Sequence, residues 1–189
     1  PLRGHIKGYK NTKPYQKWTA RDPREIITNP KAIFKMSSKY AGPYIKALKK
    51  YAKVCDLCVI GTDADVEGCN IGLIDALPYV KKENPRIEVK QMWLGDLQKS
   101  TIRKQFNQLV APKWSWAYCG EARAKLDAII GFSATREVSL SLQPILKQIN
   151  VKFTSIGRVQ TSLLYLLYKR ENLIRSFDPE PFWKLQAML

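Results

Sequence analysis

The chain of 189 residues is long enough for one domain, or for one domain and part of a second. A hydrophobic fraction of 45% and a charged fraction of 25% are ordinary for a globular protein, which excludes a disordered chain. The 32 Lys and Arg residues outnumber the 16 Asp and Glu residues, and the formal net charge of +16 favours a polyanionic partner, with nucleic acid the first candidate.

The first half of the chain has the pattern of an α/β domain. Residues 1–30 are rich in Pro, Lys and aromatic residues without clear periodicity, which predicts loops and short strands. Residues 43–53 have helical spacing, and the apolar run at 54–60 predicts a buried strand that ends in a polar loop. Helical spacing resumes at 67–80, and alternation at 87–94 predicts another strand. Strand, loop, helix and strand in this order indicate an α/β fold.

The second half of the chain is mainly helical. Predicted helices span residues 99–110, 119–143 and 158–175. In the first of them Ile102, Phe106 and Leu109 are expected to face the core, and the second is expected to be interrupted near Gly131. Residues 182–189 alternate in polarity, which predicts the first strand of a further domain.

Three carboxylates stand close together directly after the predicted strand: Asp63, Asp65 and Glu67. In an extended segment alternate side chains share a face, so Asp63 and Asp65 can converge, with Glu67 near the start of the next helix. Crowded carboxylates are unfavourable unless a cation lies among them, and Mg²⁺ prefers hard oxygen ligands. The spacing therefore favours a Mg²⁺ site, while capping of the following helix remains the alternative.

Three segments resemble type IA DNA topoisomerases and occur in the order of that family. The run GTDADVEGCNIG, residues 61–72, resembles the DxDxE loop of the Toprim domain. Residues 122–136, ARAKLDAIIGFSATR, resemble the AR-x-x-x-D-x-x-x-G helix pair of the family. Residues 155–171, SIGRVQTSLLYLLYKRE, resemble its GRVQ[ST] helix.

Further segments support the resemblance. Gly4-His5-Ile6 with Trp18 resembles the GH…W segment early in these enzymes, and Phe182-Trp183 resembles their entry into the arch domain. Residues 93–102 resemble the strand-to-helix segment after the acidic loop, although Gly95-Asp96 departs from the usual residues there. The wording DADVEG is closest to archaeal topoisomerase III-like enzymes.

The resemblance implies a fold, a domain organisation and a reaction. The expected fold is an α/β Toprim domain, Rossmann-like with a mostly parallel sheet, followed by a mainly α-helical DNA-binding segment. The Toprim domain, without its first strand, would span residues 1–97, the helical single-stranded-DNA-binding domain 98–178, and the start of the arch domain 179–189. The family relaxes negatively supercoiled DNA without ATP, through Mg²⁺-dependent single-strand cleavage, a 5′-phosphotyrosine link, strand passage and religation.

The resemblance also implies residue roles. Asp63 and Asp65 would bind Mg²⁺, and Glu67 would complete the catalytic site, through a water or as a proton-transfer partner. The residues expected to contact DNA are Arg158, Gln160, Thr161, Arg123, Asp127, Arg136 and His5. A structural ion pair is the alternative for Arg158, and an intrahelical ion pair is the alternative for Arg123 with Asp127.

Two catalytic parts of the family have no match in this sequence. They are the glutamate on the first Toprim strand and the nucleophilic tyrosine, so the chain alone is expected neither to cleave nor to relax DNA. Tyr165 and Tyr168 are three residues apart on an apolar helix and are predicted to lie in the core. Trp114 and Trp116 are predicted to pack the domain, with stacking on bases as the alternative.

The remaining features concern location and competing functions. The CxxC of Cys55 and Cys58 lacks the second half of a zinc site, so reduced cysteines and a cytoplasmic protein are expected, nucleoid-associated if the source is prokaryotic. No run is long enough to span a membrane, and a monomer is expected. A Toprim nuclease or primase-like protein and a non-catalytic single-stranded nucleic-acid-binding module are the alternatives. A basic protein of ribonucleoprotein type would leave the acidic cluster unexplained.

Overall fold

The computed structural model describes residues 6–188, so His5 and its predicted DNA contact lie outside the described residues. Within them the strands are β1 (Lys7–Asn11), β2 (Ile33–Ser37), β3 (Leu57–Ile60) and β4 (Glu88–Gln91). The helices are α1 (Glu25–Thr28), α2 (Gly42–Ala52), α3 (Val66–Cys69), α4 (Leu77–Glu83), α5 (Lys99–Phe106), α6 (Trp114–Ser141), α7 (Gln143–Gln148) and α8 (Arg158–Arg175). A π-helical stretch, Asn70–Ala76, joins α3 to α4 into one continuous helical segment.

The strands form two separate pairs. Strands β1 and β2 are antiparallel, and β3 and β4 are parallel. A parallel bridge between Asp63 and Leu94 continues the second pair into the acidic loop, which comprises residues 61–67. The parallel pair with helices around it confirms the α/β class for this region. The sheet of the described residues is much smaller than the mostly parallel, Rossmann-like sheet that the resemblance implies.

The main core lies between β3 and the helical segment that follows the acidic loop. Ile60, Leu73, Leu77 and Val80 are buried there together. Gly72 belongs to this segment, and a Cβ at this position would lie 2.3 Å from Cγ2 of Ile60. The segment can therefore approach β3 closely only because residue 72 has no side chain.

A second, smaller core packs the β1–β2 pair against α6. Tyr15, Ile26 and Ile33 are buried in it, and Ile129 and Phe132 of α6 contact it. Helix α6 thus contacts both cores and joins the two strand pairs.

Several predicted elements are confirmed, and others are wrong. Helices α2 and α8 and strand β4 lie where the periodicity places them. The predicted break at Gly131 does not occur, because α6 continues for 28 residues through it. Phe106 is exposed although the pattern placed it inward, and β3 is fully buried only at Ile60. Residues 177–188 form no strand.

Helix α8 is the largest departure from the predicted core. Tyr165 and Tyr168 are 59% and 60% exposed, so their predicted core position is wrong for the described residues. The pattern of a helix reveals its apolar positions but not what covers them, and within residues 6–188 nothing covers this face. No helix in residues 6–188 has an apolar stretch long enough to cross a membrane.

Helix α6 approaches the segment after the acidic loop closely at Gly120. A Cβ at this position would lie 2.5 Å from the backbone oxygen of Val66 and 2.7 Å from Cβ of Asn70. Backbone lies on both sides of this contact, so a side chain could be accommodated only if α6 moved away.

Substitution Gly120→Ala is expected to lower the free energy of unfolding by about 1–3 kcal/mol, because overpacking forces the two helices apart. The matched control is Gly131→Ala in the same helix, where the nearest atom to the new Cβ is the Ile156 oxygen at 3.9 Å. The control is expected to raise stability by up to about 1 kcal/mol, since alanine favours helix over glycine. Urea denaturation of both variants measures their free energies of unfolding. Equal changes in the two variants would contradict the close contact at Gly120.

Candidate nucleic-acid interface

The acidic loop follows the carboxyl end of β3 and displays two of its carboxylates on one side. Asp63 and Asp65 are exposed, whereas Ala64 between them is partly buried and donates its N–H to the Leu94 oxygen over 3.0 Å. Asp65 has an extended backbone, with φ −141° and ψ 177°. The alternation predicted from the sequence is therefore present, and Asp63 and Asp65 share a face.

Gly68 closes the loop. A Cβ at position 68 would lie 2.2 Å from the backbone oxygen of Asp63, so only glycine allows the chain to turn this tightly after the loop. Thr62 donates its hydroxyl to the Gly68 oxygen over 2.7 Å, which fixes the same turn from the other side.

Asp65 is also the N-cap of α3. Its Oδ1 accepts the N–H of Gly68 over 2.6 Å, so the capping alternative is confirmed for this residue. The hydrogen bond uses one of the two carboxylate oxygens. Glu67 is partly buried in the first helical turn.

The three carboxylates do not converge as one cluster. Among residues 6–188 no group of three or more His, Cys, Asp or Glu side chains is close enough to hold a metal ion. Mg²⁺ usually keeps several waters and needs only one or two protein carboxylates. Asp63 and Asp65 offer two exposed carboxylates on the same side of the loop, and these are suitable ligands for such a partly hydrated Mg²⁺.

One face of α6 connects the acidic loop to the segment that carries the GRVQT motif. Trp116, Gly120, Arg123 and Asp127 are spaced by four, three and four residues, so they follow the same helical face. Gly120 lies against Val66 at the start of α3. The two charged residues continue this face toward the start of α8.

Trp116 lies at the other end of this face. Its ring meets the Trp93 ring edge to face with centroids 5.2 Å apart, and Lys113 places Nζ 3.6 Å above the Trp93 ring. Trp114 stacks on Tyr118 instead. Trp114 and Trp116 remain 41% and 40% exposed, so the prediction that they pack the domain is only partly confirmed.

A cluster of three charged residues, called here the charge cluster, joins α6 to α8. Arg158 donates Nε to Asp127 Oδ1 over 2.8 Å and Nη2 to Oδ2 over 3.3 Å. Arg123 lies 3.9 Å from the same carboxylate. The hydrogen bond from Arg158 lowers the pKa of Asp127. Both ion-pair alternatives are thus present, but all three side chains are exposed, and exposed pairs are weak enough to exchange partners.

Two hydroxyls of α6 hold the segment that leads into α8. Thr135 Oγ1 accepts the N–H of Ile156 over 2.9 Å and contacts its oxygen at 3.3 Å. Ser139 makes the same pair of bonds to Thr154, at 3.1 and 3.2 Å. Neither Thr135 nor Ser139 is among the site residues predicted from the sequence. Two hydroxyl residues four positions apart on one helix face, shortly before the GRVQT motif, are the signal that could have identified them.

The GRVQT residues begin α8. Gly157 is its N-cap and donates its N–H to Thr161 Oγ1 over 3.2 Å, so the Thr161 hydroxyl is already engaged within the helix start. Gln160 is exposed beside it.

A cavity of about 430 Å³ adjoins the charge cluster. Trp18, Phe132 and Arg136 are among its lining residues, together with Asn11 and Asp127. Arg136 is only 4% exposed, and its Nη1 and the Asn11 Oδ1 have no hydrogen-bond partner within the described residues. Its Cζ lies 5.9 Å from the centre of the Trp18 ring. Burial lowers the pKa of Arg136, as expected for a cation without a counter-ion.

The predicted site residues therefore fall into two groups at the two ends of one helix face. Asp63, Asp65 and Glu67 form the acidic loop. The basic group lies at the far end, and its members are Arg123, Asp127, Arg158, Gln160 and Thr161. Arg136 lies on another side of α6 and is connected to this group only through the cavity that it lines together with Asp127.

Substitution Thr135→Val is expected to lower the free energy of unfolding by about 1–3 kcal/mol, because it keeps the shape of the side chain but leaves the backbone of Ile156 without its partner. Thr101→Val is the matched control, since the Thr101 hydroxyl bonds only the exposed Asp96 carboxylate. Thermal denaturation measures the loss of stability in each variant, and the loss should be larger for Thr135→Val. A Thr135 variant as stable as the control would show that the segment is held by other contacts.

Comparison with known proteins agrees with the resemblance found in the motifs. Residues 111–189 match a family model described as DNA topoisomerase. The chain is 32% identical over 186 residues to DNA topoisomerase 1 of Archaeoglobus fulgidus, which covers 98% of this chain and 27% of the relative.

Similar matches occur in bacteria and animals. DNA topoisomerase 3 of Bacillus subtilis is 30% identical over 179 residues, covering 93% of this chain and 23% of the relative. DNA topoisomerase 3-alpha of Drosophila melanogaster is 28% identical over 190 residues, covering 99% and 15%. The chain thus spans about a quarter or less of the length of these relatives.

Proposed function

Because the chain belongs to the type IA DNA topoisomerase family, we propose that it carries the Mg²⁺-binding and DNA-binding parts of an enzyme that relaxes negatively supercoiled DNA without ATP. The proposed reaction is single-strand cleavage through a 5′-phosphotyrosine, strand passage and religation. The observation that carries the proposal is the single face of α6 that links the acidic loop to the start of α8.

Asp63 and Asp65 are the proposed Mg²⁺ ligands, in a Toprim-type loop. When bound, the ion would stabilise negative charge on the scissile phosphate and on the oxygen that religates it. The protein's own part is to hold the two carboxylates on one face, through the Ala64–Leu94 bond and the turn at Gly68. Glu67, in the first helical turn, is proposed as a ligand through water or a proton-transfer partner.

Single-stranded DNA is proposed to lie along the basic end of this face. Arg158 and Arg123 can release the Asp127 carboxylate and bind a DNA phosphate instead, because their ion pairs are exposed to water. A guanidinium group can form paired hydrogen bonds with a carboxylate or with a phosphate. The α8 start adds free backbone N–H groups, and Gln160 lies exposed beside them. Arg136 offers a donor without a partner in the neighbouring cavity, which suits a nucleotide group with an acceptor atom.

The proposed enzyme acts as a monomer on a single-stranded segment of negatively supercoiled DNA in the cytoplasm, at the nucleoid if the source is prokaryotic. The 189-residue chain alone neither cleaves nor relaxes DNA.

A non-catalytic module that binds single-stranded nucleic acid is the second candidate. The observation that favours it is the capping bond of Asp65, which accounts for one carboxylate of the acidic loop without a metal.

The polypeptide that carries this chain at full length is expected to relax negatively supercoiled plasmid with Mg²⁺ and without ATP, and Asp63→Asn/Asp65→Asn is expected to abolish relaxation. Asparagine caps helices as well as aspartate does, so the double variant keeps the fold and removes only the charges. Gel electrophoresis of the plasmid measures the rate. Asp96→Asn, which changes an exposed carboxylate in the loop before α5, is the matched control.

The outcomes separate the two candidates. Loss of relaxation in the double variant with unchanged single-strand binding supports the catalytic role. No relaxation by a folded wild-type polypeptide that still binds single-stranded DNA would favour the non-catalytic module.

Substitution Arg136→Gln is expected to weaken single-stranded DNA binding by about tenfold and to reduce the slope of log affinity against log salt by about 0.7 to 1. Removal of a buried cation without a partner should leave stability unchanged or higher. Fluorescence anisotropy with a labelled oligonucleotide at several salt concentrations measures both effects. Arg86→Gln, an exposed arginine beside β4, removes the same charge and should leave affinity nearly unchanged. Equal effects of the two variants would mean that Arg136 contributes only net charge.

A further inference from the structure

A partly buried charge network lies on the side of α6 away from the charge cluster. Lys35 of β2 pairs with Asp75 over 2.6 Å and also with Glu121 of α6. Tyr9 of β1 donates its hydroxyl to the same Glu121 carboxylate. These four residues, called here the lysine network, come from four elements that are distant in sequence.

The lysine network connects the elements that carry the two halves of the proposed site. Asp75 lies in the π-helical stretch, which belongs to the helical segment that starts at Asp65. Glu121 directly follows Gly120, where α6 touches that segment, and precedes Arg123 by two residues. Lys35 is therefore the one cation in contact with both carboxylates among the described residues, bound to each side of the contact between the two helices.

The network is better suited to fixing geometry than to adding stability. Asp75 is 1% exposed, and burial raises its pKa against the opposing effect of Lys35. Burial also disfavours the charge on Lys35, but its interactions with the Asp75 and Glu121 carboxylates raise its pKa overall. A buried ion pair gives little net stability because desolvation offsets the attraction, yet loss of one partner is costly. Two carboxylates that share one lysine tolerate few alternative arrangements.

We propose that Lys35 is a positioning residue that holds α6 at a fixed place beside the helical segment after the acidic loop. In this role it sets the distance between the Asp63–Asp65 pair and the charge cluster of Arg123, Asp127 and Arg158. The inference rests on the proposed function, since that distance matters only if one DNA strand contacts both ends.

If this is the role of Lys35, its loss should affect the relaxation rate and the affinity for single-stranded DNA differently. The basic end of the face binds the DNA backbone whether or not the acidic loop is in register with it. Cleavage and religation need the scissile phosphate at the acidic loop, and a displacement of about 1 Å can reduce a rate by about 100-fold. Loss of Lys35 should therefore lower the relaxation rate while single-strand affinity is kept.

The first variant is Lys35→Met in the full-length polypeptide, which retains most of the side-chain length without the charge. The expected result is a relaxation rate lowered by about 10- to 100-fold, with oligonucleotide affinity within about twofold of the wild type. Lys35→Arg, which keeps the charge and can bridge both carboxylates, should restore most of the rate. Plasmid relaxation at saturating Mg²⁺ and fluorescence anisotropy are the two measurements.

The matched control is Tyr79→Phe. Tyr79 shares a 2.6 Å hydrogen bond with Ser37, and the Lys7 Nζ lies 5.0 Å from the centre of its ring, so both interactions join α4 to the same strand pair and neither involves α6. Its loss should leave the relaxation rate close to that of the wild type. If Lys35→Met does not fold, Glu121→Gln is the second variant, since it keeps the shape of the side chain and a hydrogen-bond acceptor. It should also lower the relaxation rate.

Three outcomes would overturn the inference. They are wild-type relaxation by Lys35→Met, an equal loss of affinity and rate, and no rescue by Lys35→Arg in a folded protein. A folded wild-type polypeptide that fails to relax plasmid would instead overturn the proposed function, and the inference with it.

Discussion

The contact between α6 and the helical segment after the acidic loop is the constraint on which the rest of the structure depends. It is possible only because residue 120 is a glycine, since any side chain would meet the backbone of Val66. This contact places a helix of 28 residues so that one end of its face lies beside the carboxylates and the other beside α8. Separate strand pairs, which would be marginal alone, are joined through the same helix.

The charged groups at the two sides of α6 differ in burial, and their roles differ accordingly. Lys35 and Asp75 are shielded from water, so exchange of either partner would leave a buried charge uncompensated. Arg158 and Asp127 are exposed, so water or a phosphate can replace either partner at little cost. A buried network suits a fixed geometry, and an exposed one suits a surface that must bind and release a polyanion repeatedly.

Local pattern predicted the elements well, and it failed where the answer lies in another part of the chain. Periodicity located α2 and α8, and the alternation of Asp63 and Asp65 predicted their shared face. The expected break at Gly131 was wrong because glycine lowers helix propensity without forcing an end. Tyr165 and Tyr168 were placed in the core because periodicity shows an apolar face without showing its partner. Contacts such as Thr135 with Ile156 join residues distant in sequence, so the local pattern can point to the hydroxyl residue but not to the backbone group that it binds.

Capping and metal binding by the acidic loop were alternatives in the sequence, but the geometry makes them compatible. The capping bond of Asp65 uses Oδ1 and the Gly68 N–H, which leaves its second oxygen outside that bond. A carboxylate tied to a helix N-terminus keeps its charge and has a restricted orientation, and both properties favour a cation held with few protein ligands. Asp63 is oriented through its backbone instead, by the parallel bridge to Leu94. The fold thus orients two carboxylates by different means, and such an arrangement would lower the cost of binding the proposed cation.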